Sequence, residues 1–481
     1  MSRVSVVVIG GGVSGLAAAW ELTGGASGPD ASTPRVELIE SRDRVGGSLA
    51  TTTFAGRTVD LGPDGFLARR PEATTLVGEL GWADQLEPVG ASGASLWLRG
   101  ALHEITSGLA LGVPTTYEAV AAMRGLSWRA RLAARRDQLL PARLRVDDDA
   151  SIGAIVRAKL GTELAYQFVE PMVGGIQAGR IDDLSAKSVF PPLLEAARRG
   201  GSLMKAMRPS GTPRPSSGAV APLFYSLLEG MGSLPLELAR QLEARGVVIR
   251  PSTTVTAIRR VDGAYRFEVD TEATTTPANF VVLATPAKAT ATLTGAFDPD
   301  LAALGTIPSA GAAMVTLAFA RSTLRLPEHG TGVLVPLATP WRSGGSMMVT
   351  ALTFLDRKWA HLRRDEDVIV RAHVGRIDDD RWAELGDAAL VARVVDEVRL
   401  ILAFTGEPTA SLVQRWPEGL PQYYVGHDRL VEAAKRAAAR SDVELAGSTY
   451  DGVGIPASIG SGRRAGASVL ARVLSSAGGQ R

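Results

Sequence analysis

The first apolar run in the chain is Val4-Ser5-Val6-Val7-Val8-Ile9, rich in β-branched residues and without alternation. Such a run predicts a parallel strand buried on both faces. Three glycines follow, and Leu16 to Leu22 reads as a helix. Gly24 to Pro34 is a Gly/Ser/Pro-rich loop, and Val36 to Glu40 reads as a second strand. Together they form one βαβ unit with a long loop before its second strand. Val4 to Trp20 carries no charge and could be mistaken for a signal peptide or a membrane span. Gly10, Gly11 and Gly12 would break a hydrophobic helix near its middle, and only Arg3 precedes the run, so strand, turn and helix fit better. No other run reaches the roughly 18 apolar residues a span needs.

Leu76 to Ala197 reads mostly helical. Within it, Arg124 to Arg145 holds seven Arg and one Asp, a local charge of +6. This stretch reads as a solvated basic face, or as a docking surface for anionic lipid, an acidic partner or an acidic substrate. Met207 to Pro222, rich in Pro, Ser and Gly, reads as a linker or mobile loop. Strands are predicted at Val247–Ile249, Thr253–Ile258, Tyr265–Val269, Phe280–Leu283, Ala313–Phe319, Met347–Phe354 and Glu444–Ala446. Helices are predicted at Leu234–Arg245, Val431–Arg440 and Arg463–Leu474. No internal repeat of fixed period is visible.

Composition narrows the class. At 481 residues, 45% hydrophobic and 21% charged, the chain has the make-up of a folded protein of two to four domains. Lys and Arg number 52 against 50 Asp and Glu, a balance that gives no reason to expect nucleic-acid binding. There is no cysteine. That excludes disulfides, thiolate metal sites, cysteine nucleophiles and thioether-linked cofactors, and it fits a reducing cytoplasm.

The turn after the first strand, Gly10-Gly11-Gly12-Val13-Ser14-Gly15, fits G-x-G-x-x-G. Gly10 would allow the tight turn, Gly12 the approach of a pyrophosphate, and Gly15 close helix–strand packing. The helix N-terminus offers unpaired N–H groups and a positive dipole to that phosphate. Glu40 ends the second strand, 25 residues after Gly15. Its carboxylate can accept from both ribose hydroxyls and would repel a 2′-phosphate.

The chain continues Glu40-Ser41-Arg42-Asp43-Arg44-Val45-Gly46-Gly47. An acidic residue followed by Arg-x-Gly-Gly resembles the motif shared by flavin amine oxidases, phytoene desaturases and protoporphyrinogen oxidases. Further blocks resemble the porphyrinogen oxidase family in order along essentially the whole chain. They are Asp60-Leu61-Gly62-Pro63-Asp64-Gly65-Phe66-Leu67-Ala68-Arg69-Arg70-Pro71, Glu170 to Gly179, Glu229 to Pro235, Arg415 to Tyr423, and Tyr450 to Pro456. Two departures stand out: Gly65 replaces a usual Ser, and Gln177 a usual aromatic.

The resemblance implies non-covalent FAD held by Gly10, Gly11, Gly12, Val13, Ser14, Gly15, Glu40, Ser41, Arg44, Gly46 and Gly47. It also implies contacts from Gly62, Pro63, Asp64, Gly65, Val255, Trp416, Val453, Gly454 and Ile455. The implied fold is α/β: a Rossmann-like FAD-binding domain of the flavin amine oxidase superfamily, with a mixed-sheet substrate domain and a helical domain. The expected division is 1–75, 225–300 and 430–481 for FAD, 76–195 for the helical domain, and 196–224 with 301–429 for substrate.

The implied reaction is removal of six hydrogens from a porphyrinogen in three two-electron steps, with O2 reoxidising the flavin to give hydrogen peroxide. Coproporphyrinogen III in haem biosynthesis is the implied substrate; protoporphyrinogen IX oxidation, amine oxidation and a flavin-binding role without turnover are the alternatives. None of the five histidines has ligand spacing, so no metal is expected. Porphyrinogens oxidise readily and positioning carries much of the work, so no catalytic side chain is assigned. Arginine forks suit propionates, and Arg69 and Arg70 are the first candidates, ahead of Arg99, Arg180 and Lys187. A peripheral membrane surface and a ferrochelatase stand as partner candidates.

Overall fold

The computed structural model describes residues 3–91, 93–139, 144, 146–208, 222–337, 339–342 and 344–478. Positions 209–221 of the Pro/Ser/Gly-rich stretch therefore lie outside the described residues.

The opening apolar run forms β1 (Ser5–Ile9), the middle strand of a five-stranded parallel sheet. On one side it pairs with β2 (Arg35–Ile39), which pairs in turn with Val248–Arg250. On the other side it pairs with Phe280–Leu283, then Val443–Leu445. Three separate stretches of chain thus meet in one sheet. The lack of alternation in β1 has a direct cause. Val6 and Val8 pack into the core beneath α1 (Val13–Leu22), while Val7 and Ile9 pack into the core on the opposite face.

The closing helix α3 (Ile455–Gly478) lies along α1. A Cβ on Gly462 would sit 2.0 Å from the Ser14 carbonyl, and one on Gly466 would sit 2.5 Å from that of Ala18. Both contacts advance in the same sense along the two chains, so the helices run parallel. Seven residues of α3 precede Gly462 and one of α1 precedes Ser14, so the N-terminus of α3 projects about 9 Å beyond that of α1 at 1.5 Å per residue.

A second, seven-stranded mixed sheet is built on β3 (Ser309–Ala320). β3 pairs antiparallel with β5 (Ala410–Pro421) at the sheet edge and with β4 (Asp367–Val374) on its other side. Val349–Phe354, Gly332–Leu334, Ser95–Leu98 and Ala101–Glu104 continue the sheet. The last two strands correct the helical reading of Leu76 to Ala197, because Leu86 to Pro114 forms five short strands. At two to four residues each they are too short to display alternation, and Ser95 is fixed by pairing with distant Val333. Helices from Tyr117 to Ala206 form the remaining layer around their own core. Among the described residues, no helix is long and apolar enough to cross a membrane.

The contact between α1 and α3 gives a test. Gly462→Ala should lower stability by about 1–3 kcal/mol through overpacking, read as a lower thermal midpoint. Gly78→Ala, on an exposed helical position with nothing within 4 Å, should be neutral or raise it. Equal effects of the two would contradict this packing.

Candidate active site

The C-terminal ends of β1 and β2 build one end of the site. Gly10 holds φ +104°, and its N–H donates to Ile39 O at 2.8 Å. A Cβ on Gly15 would lie 1.9 Å from Gly10 O, so only glycine lets α1 seat on the turn. Gly12 faces open space, with nothing within 4 Å of its absent Cβ. The first N–H groups of α1, from Val13, Ser14 and Gly15, have no intrahelical acceptor. Buried Glu40 accepts from the Gly11 N–H at 2.6 Å and the Arg42 N–H at 2.8 Å, with Ser41 Oγ at 3.4 Å. Two carboxylate oxygens offer about four acceptor positions, so capacity remains for a ribose hydroxyl.

The second glycine pair is laid onto the first. Gly46 N–H donates to Gly11 O at 2.8 Å, and Gly12 and Gly46 form a parallel bridge. Arg44 is turned inward, donating to Gly47 O at 2.9 Å and Val45 O at 3.2 Å. Burial, with Arg42 nearby, lowers its guanidinium pKa. Thr253 N–H reaches Glu40 O at 2.9 Å, which brings Val255, at the start of its strand, close to the acidic end.

The other end of the site is the segment Asp60 to Gly65, pinned from several elements. Trp416 on β5 donates Nε1–H to Leu61 O at 2.9 Å, so this ring tethers the segment to the second sheet. Asp64 is held by Lys358 Nζ at 2.8 Å and Trp359 Nε1 at 3.1 Å. A Cβ on Gly65 would lie 2.7 Å from the Trp359 ring and 2.7 Å from Tyr225 O, which explains glycine where serine is usual. Pro63 is exposed, and a Cβ on Gly62 would strike Ser48 O. The N-terminus of α3, at Val453, Gly454 and Ile455, lies at its own advanced position, and Gly454 has open space around it. His427 stacks on Tyr423 at 4.3 Å and bonds Thr449 O at 2.9 Å, a structural use.

Sequence reasoning missed the charges behind Asp60–Gly65. Arg371 on β4 is buried and donates to the carbonyls of Asp60 and Gly62, the latter at 3.3 Å. Its signal was legible: one arginine and His373 interrupt the apolar run Val368 to Val374. Burial raises the Asp60 carboxyl to about 7, against the pull of Arg371 and with the push of Asp64. Burial would also raise Asp64, but Lys358 and Arg371 hold it far below the usual carboxylate range. Burial and Arg371 lower His373 to about 4.

The proposed propionate ligands lie beyond Phe66–Leu67. Arg69 is exposed and makes no ion pair among the described residues, whereas Arg70 is bound to Glu72 at 2.6 Å. Arg99, Arg180 and Lys187 are each paired with acids, at 3.3 Å to Glu163, 2.7 Å to Asp378 and 2.6 Å to Asp428. Among the described residues there is no group of three or more His, Asp or Glu able to hold a metal ion.

Residues 13–470 match the sequence signature of flavin-containing amine oxidoreductases. The chain belongs to that family. It is similar to coproporphyrinogen III oxidase of Bacillus subtilis, 30% identical over 98% of each chain. It is 33% identical to that of Propionibacterium freudenreichii, over 98% of this chain and 92% of the relative. A solved structure of a putative protoporphyrinogen oxidase from Exiguobacterium superposes with TM-score 0.85 at 30% identity, over 98% of this chain and 100% of that one. The fold is that of the flavin amine oxidase superfamily, the protein is an oxidoreductase and its cofactor is FAD. The glycine cradle, the open face at Gly12 and the two offset helix N-termini fit a dinucleotide that runs from Glu40 towards Gly62–Gly65.

The Asp60–His373 pair predicts opposing pH slopes of stability. Asp60 rises from 3.8 unfolded to about 7 folded, so its contribution is lost as pH rises through that window. His373 falls from 6.5 to about 4, so its contribution is present above 6.5 and lost as pH falls towards 4. Asp60→Asn should therefore leave a thermal midpoint that rises between about pH 4 and 6.5, and His373→Asn one that falls between about pH 4 and 7. Parallel profiles for both variants would refute the assignment.

Proposed function

We propose that this oxidoreductase converts coproporphyrinogen III to coproporphyrin III, with O2 as acceptor and hydrogen peroxide as by-product. The observation that carries this reading is the end-to-end similarity to coproporphyrinogen III oxidases, which spans the second sheet and the helical layer as well as the FAD strands. The product would pass to a ferrochelatase in haem biosynthesis, in a cytoplasm that suits a chain without cysteine.

Bound FAD supplies the two-electron redox chemistry, used three times per substrate. In this reading Glu40 takes the ribose, the α1 N-terminus the pyrophosphate, and the α3 N-terminus the polar edge of the ring system. Gly62 to Gly65 pass the isoalloxazine, held rigid by Trp416, Lys358 and Arg371. Arg69 is the favoured partner for a propionate because no acid among the described residues pairs with it, while Glu72 competes for Arg70. A protoporphyrinogen IX preference is the second reading, favoured by the name of the solved Exiguobacterium structure.

Porphyrin fluorescence in air separates these readings, with both porphyrinogens in parallel and enzyme-free controls. Faster turnover of coproporphyrinogen is expected. A preference for protoporphyrinogen moves the substrate, and no rate above control with FAD bound removes the porphyrinogen reading in favour of amines or a non-catalytic role. Arg69→Ala should raise KM for coproporphyrinogen roughly tenfold, about 1.4 kcal/mol, and Arg70→Ala by less.

A peripheral anionic membrane fits the basic stretch. On α2 (Trp128–Leu139), Trp128, Leu132 and Leu139 are 69%, 60% and 68% exposed beside exposed Arg129, Arg135 and Arg136. Its one acid, Asp137, is turned inward to Ser202 at 2.8 Å. Apolar anchors interleaved with arginine suit an acidic lipid surface. Co-sedimentation with phosphatidylglycerol vesicles is expected, with loss in a Trp128→Ser/Leu132→Ser variant; equal recovery without vesicles would reject the contact.

A further inference from the structure

We propose that Arg371 is a positioning residue for the flavin, fixing the backbone of Asp60–Gly62 from inside the protein and supplying the buried positive charge that eases reduction of the adjoining ring. The inference rests on the placement of FAD along Gly62–Gly65 proposed above.

Arg371 is 1% exposed in the middle of an apolar strand. Moving a guanidinium out of water is costly, and a carboxylate partner is the usual remedy. Arg371 makes no ion pair among the described residues. Its donors go instead to Asp60 O, to Gly62 O at 3.3 Å and to Thr316 Oγ at 3.4 Å. A group this costly, spent on two carbonyls of one short segment, fixes the orientation of that segment's peptide planes. Ser226 Oγ adds a third hold, on Asp64 O at 2.8 Å.

The surrounding charges leave Arg371 incompletely balanced. The groups that face it are Asp60, Asp64, Lys358 and His373. Lys358 and Asp64 neutralise each other as an ion pair at 2.8 Å. His373 bonds Thr353 Oγ at 3.2 Å and is neutral at pH 7. Asp64 is shared between Lys358 and Arg371, which leaves Asp60 as the other described carboxylate able to offset Arg371, and its Oδ1 is already engaged, accepting from Met231 N–H at 2.7 Å. Burial keeps Asp60 protonated below about pH 7, where the cluster carries one positive charge.

Two-electron reduction with uptake of one proton adds one negative charge to a flavin ring. A fixed buried cation favours that charge, because water is not there to screen it. Arg371 and Asp60 therefore act on the same equilibrium with opposite sign. A purely structural role would not produce that opposition.

The experiment is the midpoint potential of FAD in the purified holoenzyme at pH 8, by dye equilibration, with FAD content measured after heat release. Arg371→Gln should cost at least tenfold in the equilibrium constant for two-electron reduction, about 30 mV downward. Arg371→Lys should stay within twofold of the wild type. Asp60→Asn, whose amide oxygen can still accept from Met231, should shift the potential upward, and this variant tests the charge even where Arg371→Gln does not fold. FAD bound at equal potentials in the wild type, Arg371→Lys and Asp60→Asn, with Arg371→Gln also equal or not folding, overturns this inference alone, as does a downward shift in Asp60→Asn. A wild-type chain that takes up no FAD overturns the cofactor placement and this inference with it.

Discussion

The carbonyl oxygen of Gly10 lies 1.9 Å from where a side chain at position 15 would begin, and the rest of the site is built around that contact. With hydrogen there instead of carbon, α1 can start directly beneath the end of β1. Its unpaired N–H groups then converge on one point above the sheet. The same device recurs at Gly462 and Gly466, which bring α3 against α1 backbone to backbone. Parallel packing with an offset turns two helix N-termini into two successive positive ends along one line.

The second constraint is the attachment of the two sheets. The segment from Asp60 to Gly65 belongs to the N-terminal part of the chain, yet Trp416 and Arg371 hold it from the second sheet, and Lys358 and Trp359 from the end of the short helix Leu355–Lys358 between two of its strands. Four donor residues across one short loop couple the second sheet and its Leu355–Lys358 helix to the N-terminal strands. The interior of that junction is polar and charged, so each group's protonation depends on its neighbours. Asp60, Asp64 and His373 move in different directions for this reason, although loss of water acts on all three.

The sequence by itself determined the parts of the molecule whose causes are local. β1, α1, β2 and Phe280–Leu283 were legible because a strand buried on both faces must be uniformly apolar and a tight phosphate turn must be glycine. Glu40 was legible for the same reason, as a fixed offset along one βαβ unit. The absence of cysteine and the balance of charge bounded the chemistry without any structure. Only the tertiary structure decided the rest. The hairpin of Ser95–Leu98 and Ala101–Glu104 joins the second sheet because Ser95 and Leu96 pair with Val333 and Leu334, more than 200 residues away, a partner that no window of sequence contains. Arg70 looked as good a carboxylate ligand as Arg69 until Glu72 was found on it. Lys358, Trp359 and Arg371 acquire their roles solely by folding onto Asp60–Gly65, since a buried charge is defined by what surrounds it in space and not by its neighbours along the chain.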